Sequence, residues 1–146
     1  MIDLGLLITG FAVALSFRGR CGWLRALIIA SWLLAVATSG GDKAGVVLSA
    51  ALADLVKALA AVLLLAAGAE RAEVRLVGLL SLALFPAHLA MSVTHGAPSW
   101  FLYASAVNAV FVAQCLIVGG WLDGLVRGAD RFFAWLRLVP ARSGGR

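Results

Sequence analysis

The chain has 146 residues, 63% of them hydrophobic and 13% charged, with a mean hydropathy of +1.03 and a formal charge of +5. Soluble domains carry about twice that charged fraction, so the composition argues against a soluble globular domain and points to an all-α integral membrane protein. Its basic residues are not interleaved with exposed aromatics in one patch, which argues against a nucleic-acid surface.

The first apolar segment, Ile2 to Phe17, has no basic leader and no Ala-x-Ala cleavage site. A retained helix is expected there rather than a signal peptide. Arg18 and Arg20 stop it. The second segment runs from Gly22 to Thr38 and ends at Ser39-Gly40-Gly41-Asp42, a turn signal. Both segments are short, about 24–26 Å at the helical rise. Local bilayer thinning or snorkelling by Arg25 covers the shortfall. Gly10 and Ala14 make a small-xxx-small step in the first segment, a spacing that permits close helix approach and homo-oligomers.

The third segment, Ala44 to Gly68, carries Asp54 and Lys57 near its middle. About twenty apolar residues cross a hydrocarbon core, so Asp54 is expected near the bilayer centre. A lone charge there costs about 3 kcal/mol on insertion scales. Three residues apart, the two side chains share a face and can pair. That face is expected to point at other helices or at water, not at lipid. The run Glu70-Arg71-Ala72-Glu73-Val74-Arg75 closes the segment.

The fourth segment, Leu76 to Val93, contains Pro86, which predicts a kink, and His88. The loop from Thr94 to Ser99 carries His95. The fifth segment runs from Trp100 to about Leu122. Trp100, Tyr103 and Trp121 lie near its ends, where aromatic belts form. Residues 1–122 are thus read as one domain of five transmembrane helices. Residues 123–140 follow as an amphipathic helix. Leu122, Leu125, Val126, Ala129, Phe132, Phe133, Leu136 and Val139 recur on one side, and Arg127, Asp130, Arg131 and Arg137 on the other. Such a helix lies in the headgroup region, held by apolar burial and anionic lipid. Asp123 and Arg127 are spaced to pair. Pro140 ends the helix, and residues 141–146 are expected to form a disordered basic tail.

With the N-terminus outside, five crossings place all ten arginines on the cytoplasmic side and leave Lys43 on the outer side. This matches the positive-inside rule. Arg18, Arg20, Arg25, Arg127, Arg131 and Arg137 are the expected lipid-headgroup contacts.

Counting depth from the outer surface suggests one polar layer across the bundle, built from Thr9, Asp54, Lys57, His88, Asn108 and Gln114. The layer reads either as interhelical hydrogen bonding, worth about 0.6 kcal/mol per contact, or as a hydrated ion path. Two histidines without an acidic or cysteine cluster do not complete a metal or haem site. No metal and no cofactor are therefore expected. Cys21 and Cys115 form no CxxC motif, and no disulfide is expected. No nucleophile–base pair or phosphate loop is present, so the chain is not expected to be an enzyme.

The stretch HLAMSVTHGAPSWFLYASAVNAVFVAQCLIVGGW, from His88 to Trp121, resembles small multi-pass membrane proteins encoded by tailed bacteriophages. The layout shares their small size, closely spaced helices and basic tail. Holins are the commonest function among such proteins. They usually have one to three spans, against the five expected here. The resemblance implies a homo-oligomer in the host inner membrane that opens lesions during lysis. It assigns no functional residue. Two other functions fit the residues: an accessory or assembly subunit of a larger membrane complex, and a small ion- or proton-coupled transporter using Asp54.

Overall fold

The computed structural model describes residues 4–18, 22–38, 41–67, 71–94 and 97–138. Six helices follow one another: α1 (Leu4–Ser16), α2 (Gly22–Thr38), α3 (Lys43–Ala66), α4 (Ala72–Thr94), α5 (Ala97–Val118) and α6 (Asp123–Leu138). Among the described residues there is no strand. Arg20, Cys21, His95 and residues 139–146, all singled out by the sequence, lie outside the described residues.

Three helices are long and apolar enough to cross a membrane, over Lys43–Ala66, Ala72–Val93 and Trp100–Val118. The other two apolar helices are shorter. α1 has 13 described residues and α2 has 17, about 20 and 26 Å against a core of about 30 Å.

Most boundaries follow the expected segments, and the departures have local causes. α3 starts one residue early because the Asp42 side chain caps it, accepting from the Gly45 amide at 3.1 Å. α4 starts at Ala72 rather than Leu76. The stretch read as a charged loop is the helix's first turn, with Glu73 at the positive end of the dipole and Ala72 and Val74 buried. α4 remains one helix through Pro86.

α5 ends at Val118, four residues before the expected end. Gly120 adopts a φ of +74°, a conformation glycine enters without steric cost. A side chain on Gly119 would begin 2.6 Å from the Leu15 carbonyl oxygen. The glycine pair therefore both turns the chain and brings α5 against the end of α1. The Trp121 indole fixes this contact by donating to the Leu15 carbonyl at 3.1 Å.

α3 packs most extensively on α4. They approach closely at Gly78, where an added Cβ would lie 2.7 Å from the Ala61 Cβ. Two apolar clusters fill the bundle. The larger joins residues of all six helices, including Ala12, Leu24, Ala61, Val77, Cys115 and Val126. The smaller joins Val47, Met91 and Tyr103. Lys43 lies over the Trp100 ring at one end of α5, at 5.7 Å. At the opposite end Arg18 lies over Trp121 at 4.6 Å, and Arg75 lies over Phe133 of α6 at 5.5 Å.

Of the expected headgroup arginines, Arg18, Arg127 and Arg131 are exposed, Arg25 is half-buried beside Phe17, and Arg137 falls within α6. Val126 anchors α6 in the large cluster, whereas Leu125, Phe132 and Trp135 remain exposed. Asp123 and Arg127 do not form the expected ion pair.

Candidate functional site: a buried charged network between three helices

Asp54 and Lys57 project from one face of α3, and both are almost fully buried. Lys57 Nζ lies 2.6 Å from Asp54 Oδ1. The contact is an ion pair and not a well-directed hydrogen bond. The other carboxylate oxygen, Oδ2, is 2.9 Å from His88 Nε2 on α4. His88 Nδ1 is in turn 2.8 Å from the Tyr103 hydroxyl on α5. In the other direction Lys57 Nζ donates to Gln114 Oε1 at 2.8 Å, and Gln114 Nε2 donates to the Ser81 hydroxyl at 3.0 Å.

Six side chains from α3, α4 and α5 thus form one connected chain, Tyr103–His88–Asp54–Lys57–Gln114–Ser81. Gln114 and Ser81 are fully enclosed. Each link satisfies a polar group that would otherwise be stranded in an apolar interior, where an unmet donor or acceptor costs about 1–3 kcal/mol.

Helical geometry explains why these residues meet. At about 100° per residue, Ser81 and His88 are seven apart and fall within about 20° on α4. Tyr103 and Gln114 are eleven apart and fall within about 20° on α5. Asn108 lies about 140° from Tyr103 on the same helix, so it belongs to a different face.

This arrangement corrects the expectation of one polar layer. The network runs along the bundle axis, about 10 Å on α4 and 16 Å on α5 at the helical rise. Asp54, Lys57, His88 and Gln114 are brought together as expected. Thr9 and Asn108 are not members. The Thr9 hydroxyl donates to the Gly5 carbonyl at 2.8 Å and accepts from the Trp32 indole at 3.2 Å. Asn108 makes no side-chain hydrogen bond among the described residues.

Thr9 and Asn108 do line a cavity of about 80 Å³ beside the network, together with Asp54, Lys57 and Gln114, but most of its wall is apolar, from residues such as Trp32, Leu84 and Phe111. A water occupies about 30 Å³ of liquid and needs two to four polar partners. The cavity offers room for a few waters and the groups to hold them.

A larger cavity of about 320 Å³ opens between α3 and α4 on the other side of His88. Its lining is mostly apolar, with Lys43 and Ser92 the polar exceptions besides His88. The Asp54–His88 pair therefore stands between two cavities.

Sequence reasoning misses Tyr103 and Ser81. Tyr103 reads as a belt residue, yet it is only 8% exposed, its ring tilted against Trp100 and edge-on to His88. Ser81 reads as small filler. The available signal is angular: each shares a helix face with a residue already suspected. Among the described residues no group of three His, Cys, Asp or Glu side chains could hold a metal. Cys115 is buried and free.

No family model matches the chain, and no match to it was found among the curated proteins or the solved structures.

Proposed function

We propose that this is a small five-crossing membrane protein of a bacterial inner membrane, N-terminus outside, that couples to an ion through its Asp54 network. One observation carries the reading: the network extends along the bundle axis and adjoins a cavity into which Asp54, Lys57 and Gln114 bring polar groups among mostly apolar walls. An axial series of a carboxylate, an imidazole and an ammonium has the form of a path, and intramembrane ionisable groups commonly mark ion pathways or proton relays. The space of about 80 Å³ beside the network has room for a few waters or a small ion.

The test is ion flux in vesicles holding the purified protein. An imposed pH or cation gradient should collapse faster than in protein-free vesicles. Asp54→Asn should abolish the difference while the variant still elutes as a folded particle. Wild-type vesicles as tight as empty ones would reject the reading.

A holin-like pore former is the second reading, and the outward side of α3 favours it. Leu48, Leu52, Leu55, Leu59 and Val62 form an exposed apolar stripe at three-and-four spacing, a face that a second copy can cover. A lesion would then form between copies, since the cavity beside the network is far too small. Induced expression should permeabilise cells abruptly; normal growth at high expression would remove this reading.

A further inference from the structure

We infer that the ion handled at this site is the proton, and that it is loaded at Nδ1 of His88, on the Tyr103 side of the network. The inference rests on the ion-coupling reading above and names its cargo.

A hard metal cation needs about six or more oxygen ligands. Asp54 supplies the one carboxylate here, and both its oxygens are engaged: Oδ1 by Lys57 at 2.6 Å, Oδ2 by His88 at 2.9 Å. The Lys57 ammonium already occupies the place a cation would take, and it repels a second one. A proton needs only a lone pair.

The hydrogens of the network can be assigned. An ionised carboxylate accepts only, so His88 Nε2 carries the hydrogen directed at Asp54 Oδ2. In the neutral imidazole Nδ1 is then a bare acceptor, and the Tyr103 hydroxyl 2.8 Å away donates to it. Lys57 donates to Gln114, and Gln114 to Ser81. At rest one negative carboxylate and one ammonium balance. Nδ1, which at rest accepts from Tyr103, is the atom at which the His88–Asp54 pair can take up a proton once that hydroxyl turns to accept.

Loading proceeds by one proton. It arrives at Nδ1 from water at the Lys43–Trp100 end, and an N–H bond forms there. The Nε2–H bond breaks, and that proton bonds to Asp54 Oδ2. The products are a neutral imidazole in the opposite tautomer, a neutral carboxylic acid, and one net positive charge, on Lys57. The Tyr103 hydroxyl changes from donor to acceptor. The acid is then beside the smaller cavity, which Thr9 and Asn108 also line, where water can receive the proton. The charged and titratable groups facing His88 are Asp54 and Lys57 from α3, Tyr103 from α5, and Lys43, which lines the same large cavity.

The experiment is nitrogen-15 magnetic resonance of the full chain in lipid bilayers, labelled at histidine, in a His95→Gln background so that one imidazole reports. At high pH the spectrum should show the neutral Nε2–H tautomer. On acidification Nδ1 should gain its proton while an infrared carboxylic-acid band appears with the same midpoint. Asp54→Asn should remove that band. Tyr103→Phe, which keeps the ring, should retain the tautomer preference. Gradient-driven flux should be unchanged when sodium is replaced by choline.

A resting Nδ1–H tautomer, an Nδ1 that stays bare until the protein unfolds, or a flux that requires sodium would each overturn the inference. Proton loading without flux would instead overturn the transport reading and leave the loading site standing.

Discussion

Lys57 and Asp54 compensate each other for leaving water, and they do so 2.6 Å apart inside an apolar bundle. Removing one partner of such a pair strands the other charge, at a cost of about 3–5 kcal/mol. Lys57→Met should therefore destabilise the protein by about that amount, read as equilibrium unfolding from mild detergent into a denaturing one. The double variant Asp54→Leu/Lys57→Met removes both charges and leaves the His88 Nε2–H without its acceptor, a deficit of about 1–3 kcal/mol, while Gln114 Oε1 loses its donor in both variants alike. It should be more stable than Lys57→Met alone. A double variant less stable than that single one would show that the pair does not compensate in this way. The pair is legible in sequence because two charges three residues apart in an apolar run have few other options. The rest of the network is less so. His88 and Gln114 are visible as polar residues at membrane depth, but their partners Ser81 and Tyr103 look like ordinary membrane residues until the helices are docked.

At the scale of the helix, glycine decides how closely α3 and α4 approach. With 2.7 Å between a Cβ at position 78 and the Ala61 Cβ, Gly78→Leu should force the two helices apart and cost about 1–3 kcal/mol. It should also reduce the flux that Asp54 supports, because Asp54 and His88 sit on those same two helices. A Cβ added at Gly124 or Gly128 would meet nothing within 4 Å. Gly124→Ala/Gly128→Ala should stabilise α6 by about 1 kcal/mol per site, seen as higher helicity by circular dichroism. Equal effects at Gly78 and in α6 would contradict the packing argument. Helix order is legible from hydropathy and punctuation. Boundaries fail where a charged run is helical, as at Glu73 and Arg75, and where a turn is made by two glycines, as at Gly119 and Gly120. In both places tertiary contact decides: Ala72 and Val74 are buried in the large cluster, and Gly119 touches the Leu15 carbonyl.

For the molecule as a whole, the threading follows from where the arginines fall relative to the helices. Arg18, Arg25 and Arg75 lie at the end of the bundle shared with Trp121 and α6, and Lys43 lies at the other end with Trp100. In the threading proposed above, the positive-inside rule puts the arginine end in the cytoplasm. If α1 and α2 both cross, short as they are, then the N-terminus is outside and α6 lies on the inner surface. There its exposed Leu125, Phe132 and Trp135 enter the lipid and its exposed Arg127 and Arg131 meet anionic headgroups. Reporter fusions separate the alternatives. An alkaline phosphatase joined at the N-terminus should be active, which requires the outer compartment, and one joined after α6 should be inactive. Fluorescent-protein fusions, which light up only inside, should give the reverse pattern. If both ends report the same compartment, an even number of crossings is required, and either α1 or α2 does not span. The Asp54–Lys57 pair would keep its depth in that case, since α3 is long enough to cross by itself, but Thr9 would no longer be a membrane-embedded wall of the cavity beside it if α1 is the helix that fails to cross.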